Sequence, residues 1–339
     1  MPDFLIIGQG SMGKRRVRCL LANGVVAHDI CVYDTLADRL AESAERYGVR
    51  TADSIALLLD SPALRAVFVS VPGALHLDYC LAAARAGKHW FCEVPLALGL
   101  HGLDELFART RQGLVGAPGC QVLFHPLAQA LRAWSQAPTT GRILGGSYSF
   151  GSYLPDWHRY EDYRGFYASS QALGGGNLDV IAQELVWLRW IVGQPLSAVT
   201  CRQSKVGPLE LAGATPDHQE LIVEFASGMM FSMHFDLNDR THERWLRLTT
   251  ESSTAKWSTL EPLIRLYDAA SGRWSEERLP DNFEHETVYH MEVAQFLRSI
   301  DGGDPWPVEL ETAREIVALL LAMQLSSAQN RTVRLQDVS

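Results

Sequence analysis

The chain has no run of about 18 or more apolar residues, so a helix spanning a bilayer is not expected. No block of lysines or arginines occurs and the net charge is −9, which argues against nucleic acid or an anionic membrane as a partner, since both bind clustered positive charge. The six cysteines (Cys19, Cys31, Cys80, Cys92, Cys120, Cys201) stand singly, with no Cys-x-x-Cys pair and no His/Cys cluster at zinc-ligand spacing. They read as reduced, buried thiols, and no metal site is expected. Met1-Pro2-Asp3 runs straight into the apolar stretch from Phe4, without the basic start and small-residue cleavage site of a signal peptide, so a cytoplasmic location is expected. What the chain does have is 339 residues, 47% of them apolar and 20% charged, enough for about two folded domains acting on a small molecule.

The first ~120 residues alternate short apolar runs with helical patterns, the mark of β-α-β units and a parallel sheet. Strands are expected at 4–7, 30–33, 66–71 and 89–92, and helices at 13–21, 36–47, 75–86 and 103–110. After about Gly119 the rhythm changes. Residues 144–153, 221–225, 229–235 and 245–249 alternate apolar and polar side chains, as strands of a half-exposed antiparallel sheet do. Ala226-Ser227-Gly228 reads as a hairpin turn, and two strong helices cover 179–192 and 312–324. The expected fold is therefore α/β: an N-terminal domain on a parallel sheet over 1–120, then an α+β domain with a broad, mainly antiparallel sheet over 121–339. A broad sheet face needs a cover, and a symmetric partner supplies one, so a homodimer or homotetramer through the C-terminal sheet is expected.

The sharpest signal is Gly8-Gln9-Gly10-Ser11-Met12-Gly13, a G-x-G-x-x-G that follows a strand and opens a helix. Gly8 permits the tight turn, Gly10 leaves room for a pyrophosphate, and Gly13 lets the helix pack close to the strand. The phosphates then meet the free N–H groups at the helix start. Asp34 ends the second strand 21 residues after Gly13, near the spacing at which an acidic side chain holds the adenosine ribose. Its charge repels a 2′-phosphate, so NAD is favoured over NADP, although Arg39 lies close enough along the next helix to swing towards a phosphate.

With that loop, Val71-Pro72 ending the third strand, His76, and Cys92-Glu93-Val94-Pro95-Leu96, the sequence resembles the Gfo/Idh/MocA oxidoreductases. The second half matches in Tyr153-Leu154-Pro155-Asp156-Trp157, Asp162-Tyr163-Arg164, Gly174-Gly175-Gly176 and the helix from Asp179. The resemblance implies a cleft between a doubly wound Rossmann domain and a domain with an open, mainly antiparallel sheet, holding nicotinamide and a sugar, nucleotide sugar or related metabolite. Carried over by position, Gly8, Gly10, Ser11, Met12, Gly13 and Asp34 bind the dinucleotide. Val71, Pro72, His76 and Glu93 line its nicotinamide half, and Trp157 borders it from the second domain.

The chain departs from the family where protons are handled. The family's lysine in Glu-Lys-Pro is Val94, the histidine of Asp-x-x-x-His is Gln183, the aspartate three residues on is Val186, and the arginine of Arg-Phe-His-Pro is Leu123. Oxidising a carbinol requires a base, and neither valine nor a glutamine amide serves as one. Asp179, Glu184, Tyr163 and His125 are the candidate replacements. Asp179 and Glu184, five residues apart, point about 140° away from each other around a helix, so at most one faces the substrate. Each candidate has a structural reading beside it: a helix cap or first-turn carboxylate for Asp179, a buried carboxylate tied to backbone or an arginine for Glu184, a helix-start residue for His125. An imine reductase, a non-redox enzyme, or a pseudoenzyme that binds dinucleotide without turnover are the alternatives to an oxidoreductase with a non-standard proton route.

Overall fold

A computed structural model describes residues 1–338 of the chain. They form two compact units, Met1–Gln121 with Glu284–Arg314, and Val122–Phe283 with the remaining C-terminal residues.

The first unit is built on six strands, β1 (Phe4–Ile7), β2 (Ile30–Tyr33), β3 (Arg50–Thr51), β4 (Ala66–Val69), β5 (His89–Cys92) and β6 (Gly116–Pro118). They pair in the order β3-β2-β1-β4-β5-β6, all parallel. β1 and β4 are buried along their whole length. This is why they read as unbroken apolar runs rather than as alternating ones: helices cover both faces of a parallel sheet. Those helices are α1 (Ser11–Ala22), α2 (Ala37–Tyr47), the single turn α3 (Ala56–Leu59), α4 (His76–Arg85) and α5 (Leu103–Thr110). The third run is two residues shorter than expected, because Ser70-Val71 leaves the sheet to form the loop that carries Pro72.

Between β3 and β4 the chain crosses from the edge beside β2 to the far side of β1, so β1 and β4 flank the switch point where doubly wound sheets bind ligands. Register then does the positioning. Ile7 pairs with Tyr33 on one side and Val69 on the other, so the residues that follow them, Gly8, Asp34 and Ser70, emerge side by side at the carboxyl ends.

The second unit holds α6 (Pro126–Gln136), β7 (Ile143–Gly151), α7 (Leu178–Val192), β8 (Leu196–Ser204), β9 (His218–Phe225), β10 (Met230–Asp236), β11 (Glu243–Thr250), β12 (Ser253–Ser258), β13 (Leu263–Asp268) and β14 (Arg273–Arg278). Helix α8 (Glu286–Ile300) returns to the first unit. It packs on α1 there, with Asn23 donating to the His290 carbonyl at 3.1 Å, and Phe296 set edge-on to Phe68 and Phe91. Helix α9 (Leu310–Gln329) and the two-residue strand β15 (Val333–Arg334) end the chain. The nine strands order as β14-β13-β12-β11-β7-β10-β9-β8-β15, antiparallel except for β7 beside β10. Trp187 of α7 seats on this sheet against Trp257 and Tyr148. The hairpin between β9 and β10 turns at Gly228, whose φ of +83° is a left-handed conformation that glycine adopts without strain.

Candidate functional site

In the first unit the three loop glycines have three different reasons to be glycine. A Cβ on Gly8, at φ +92°, would stand 2.3 Å from the Ser70 carbonyl oxygen, and one on Gly13 would stand 1.8 Å from that of Gly8. Both are packing requirements of the strand-to-helix turn. A Cβ on Gly10 would meet nothing nearer than an Arg39 nitrogen at 3.9 Å, so packing does not require glycine there. The smallness of Gly10 serves whatever approaches the loop from outside. Helix α1 begins directly after it with no side-chain cap and no acidic residue in its first turn. The amides of its first turn and its positive dipole end suit an anion.

Asp34 completes the cradle. Its carboxylate accepts from the Gln9 amide at 2.6 Å and from the Leu36 amide at 2.9 Å, which fixes its orientation. Two of about four acceptor positions stay free for a vicinal diol. Gln9 is itself locked, donating to the Gly8 carbonyl and accepting from the Ser43 hydroxyl at 2.9 Å. Arg39 lies 3.9 Å from the same carboxylate. These residues fit a dinucleotide: an amide nest for its diphosphate and an oriented carboxylate for its ribose.

Beyond the glycine loop, the ring nitrogens of His76 lie 2.7 Å from the carbonyls of Val71 and Pro95, so this imidazole ties the Val71-Pro72 loop to the segment after β5. Burial pushes its pKa below the ordinary value, although both carbonyls favour the charged form. Glu93 takes a two-pronged bond from Arg16 of α1, at 2.7 and 2.9 Å. Arg16 is buried over the Phe91 ring and also donates to Glu292 at 2.6 Å, whose other oxygen accepts from the Cys120 amide. Burial raises the Glu292 carboxyl to about 7, against the opposing pull of Arg16. The sequence reading missed Arg16 and Glu292, since nothing in their spacing pairs a residue of α1 with one 276 positions later.

In the second unit the four candidates for proton handling separate into distinct surroundings. Glu184 is buried under the sheet and accepts from Arg244 at 2.6 and 2.9 Å, from the Tyr148 hydroxyl at 2.5 Å and from the Trp187 indole at 2.5 Å. Three of these bonds go to Oε2 and one to Oε1. His125 caps α6 by accepting from the Leu127 amide at 3.2 Å, its ring packed against Trp257 and Phe283. The Tyr163 hydroxyl accepts from the Glu210 amide at 3.0 Å and so pins one loop to another. Trp157 packs on the cluster of Leu154, Ala168, Leu209 and Leu237 while its indole donates to the Ser152 hydroxyl at 2.6 Å.

Asp179 differs from the other three. It sits in the first turn of α7, part of its surface is accessible, and Oδ2 accepts from the Tyr167 hydroxyl at 2.7 Å while Oδ1 has no hydrogen-bond partner. Burial raises its pKa above the ordinary value, with the Tyr167 hydroxyl and the first-turn amides opposing. The neighbouring Asn177, held at φ +66° and donating to Gln219, likewise leaves a buried Oδ1 without a partner. Two unpartnered acceptors at one helix start, one of them a carboxylate whose pKa burial raises, are the chemistry of a group that awaits a donor. Tyr167 was not among the sequence candidates. The tripeptide Asp162-Tyr163-Arg164 drew attention to the tyrosine four residues earlier.

A family profile described as an oxidoreductase family with an NAD-binding Rossmann fold, Gfo/Idh/MocA, matches residues 3–115. The chain is 23% identical to myo-inositol 2-dehydrogenase of Thermotoga maritima over 342 residues, covering 98% of each. Residues 3–115 are thus similar to the NAD-binding Rossmann domain of the Gfo/Idh/MocA oxidoreductases.

A shorter stretch of 127 residues is 34% identical to an uncharacterized oxidoreductase, ORF334, of Rhizobium meliloti, covering 36% of this chain and 37% of that one. Against four curated relatives, that one included, the chain spans only 27% to 56% of their length. Levoglucosan dehydrogenase in complex with NADH and levoglucosan has the same fold, with a TM-score of 0.86 and 18% identity over 98% of this chain and 99% of that one. The glycine loop, Asp34 and Ser70 follow the ends of β1, β2 and β4. Val94 precedes a cis peptide to Pro95, and Gln183 lies one turn from Asp179 on the same face of α7.

Proposed function

We propose that this chain is an NAD-dependent oxidoreductase acting on a sugar, nucleotide sugar or related polyol, with Asp179 in place of the missing lysine and histidine as the proton-handling group. The observation that carries the cofactor reading is the glycine loop: Gly10 has open space where a Cβ would stand, at the start of a helix whose N-cap offers no side chain. Bound NAD supplies a hydride acceptor. Asp34 holds the adenosine ribose and disfavours a 2′-phosphate, and His76 and Glu93 keep the Val71-Pro72 loop and the segment after β5 in place. The relatives named for myo-inositol and levoglucosan support a polyol substrate.

In the oxidising direction the carbinol C–H leaves as hydride while the O–H proton passes to the free Oδ1 of Asp179. The Tyr167 hydroxyl, donating to Oδ2, stabilises the carboxylate that accepts it. In the reducing direction the same proton returns to the alkoxide. A carboxyl raised by burial comes nearer to working pH than an ordinary aspartate and is accordingly a better general acid–base. The decisive test is Asp179→Asn, assayed for NADH production from a panel of polyols and separately for NAD affinity by calorimetry. The expected outcome is a loss of kcat on the order of 100-fold or more with NAD affinity retained. Tight NAD binding by the unaltered chain with no turnover of any polyol, or full activity in the asparagine variant, overturns the proposal.

A further inference from the structure

The exposed face of the C-terminal sheet brings two histidines and a glutamate together. His218 and Glu220 alternate along β9 and therefore share a face. His234 on β10 stands directly across from Glu220 in the antiparallel register. The Glu220 Oε1 lies 2.8 Å from Nδ1 of His234 and 3.4 Å from Nε2 of His218, and the imidazole rings meet edge to face at 4.9 Å. One ligand atom from each residue lies within 4.8 Å of the other two. We propose that His218, Glu220 and His234 form a binding site for a divalent transition cation of the zinc class, with the remaining coordination position left to water.

Coordination geometry supports this assignment. Nitrogen and oxygen ligands about 2.0–2.2 Å from a tetrahedral Zn²⁺ stand roughly 3.3–3.5 Å apart. The His218–Glu220 separation of 3.4 Å already meets that value. The His234–Glu220 pair needs to open by about half an ångström, which side-chain rotation supplies because all three side chains reach solvent. The backbone needs no adjustment, since β9 is bonded on both edges, to β8 and β10, and β10 likewise to β9 and β7. Two imidazoles with one carboxylate suit zinc, nickel or copper, whereas calcium and magnesium require oxygen donors in greater number. The local charge is mixed: the Asp239 carboxylate is near enough for His234 to act on it electrostatically and Asp236 follows His234 on the same face of β10, while Arg202 of β8 stands across from Glu220. All six cysteines are buried, so no surface thiol competes for the ion.

Without a cation the His234 imidazole and Glu220 satisfy each other by a hydrogen bond at 2.8 Å, and the experiment separates these two readings. The full chain, free of any histidine tag, is stripped with chelator, dialysed and titrated with ZnCl₂ by calorimetry, beside His218→Ala/His234→Ala and Glu220→Gln variants. The expected result is one Zn²⁺ per chain, at least tenfold weaker in the double-alanine variant and weaker in the glutamine variant, with NAD affinity the same in all three. Because Glu220→Gln keeps shape and exposure, it reports on the site even if the double variant folds poorly. Binding of less than one Zn²⁺ per chain, or equal Zn²⁺ affinity in parent and Glu220→Gln chains, overturns the proposal.

Discussion

Replacing Glu184 by glutamine tests whether this carboxylate is structural or catalytic. Its side chain is fully buried, and the Arg244 guanidinium beside it is only 15% exposed. Arg244 grips both oxygens, and its charge is held well above any accessible titration by this partner despite burial. Glutamine keeps the volume and one acceptor but removes the negative charge, so Arg244 is left as a buried cation with a neutral amide. Its N–H groups then confront the amide NH₂ on one prong. Breaking one partner of a buried ion pair costs about 3–5 kcal/mol, far more than the pair contributes over an apolar substitute. Tyr148 and Trp187 also donate to the carboxylate, and both retain only weaker, uncharged acceptors.

The assay is urea unfolding followed by tryptophan fluorescence, with thermal melting as a second probe. A loss of that size lowers the melting temperature on the order of 10 °C for a chain of two domains. At temperatures where the variant is folded, its kcat should stay within a few-fold of the parent. An unchanged unfolding midpoint combined with lost turnover would refute the reasoning and return Glu184 to the list of groups that exchange protons with substrate.

Gly10→Ala should leave unfolding within about 0.5 kcal/mol of the parent, because its Cβ finds open space, while NAD binding weakens at least tenfold, about 1.4 kcal/mol, by calorimetry. Gly13→Ala, whose Cβ would meet the Gly8 carbonyl, should lower stability outright. Glu292 sets a pH dependence: its carboxyl, ordinarily at 4.5 and raised to about 7 in the fold, favours folding fully below 4.5 and loses that contribution as pH rises through about 7. The gap corresponds to about 3 kcal/mol, so urea midpoints should fall between acid and mildly alkaline pH and flatten in Glu292→Gln; parallel slopes would assign the fall elsewhere. Tyr167→Phe should lower kcat about tenfold or more and move the pH at which oxidation fails upward, as Asp179 loses its donor, whereas Tyr163→Phe costs only about 1 kcal/mol of stability in unfolding assays.

The first unit was legible because its signals are local. β1, β2 and β5 coincide with apolar runs, and the cradle is a contiguous six-residue loop whose glycine roles follow from steric rules. Asp34 was legible for the same reason, since a fixed strand–helix–strand spacing brings it beside Gly8. Helix α8 was not. Its apolar residues serve α1 and the Phe68–Phe91 cluster rather than their neighbours in sequence, and no local pattern announces a return to an earlier unit. The exposed strand β14 gives no alternation to read at all. The bonding of Glu184 was foreseen as one possibility, but its partner Arg244 comes from β11, 60 positions away.

The two halves of the proposed chemistry differ in how a sequence can encode them. Dinucleotide binding depends on backbone amides and on the absence of side chains, so glycine identity and spacing nearly determine it. Proton transfer depends on one group being desolvated, oriented and left with a free acceptor, and those conditions are tertiary. Val94 and Gln183 mark the loss of the expected groups, yet the sequence offers Asp179, Glu184, Tyr163 and His125 on nearly equal terms. Hydrogen bonds sort them: three are occupied by a cation, a helix amide or a loop amide, and Asp179 alone keeps an idle oxygen beside a tyrosine that donates to the other. A buried, unpartnered carboxylate oxygen costs a fold several kcal/mol at most positions. Its retention at the start of α7 is understandable where a substrate hydroxyl completes the bond, which is why Asp179 carries the proposed mechanism.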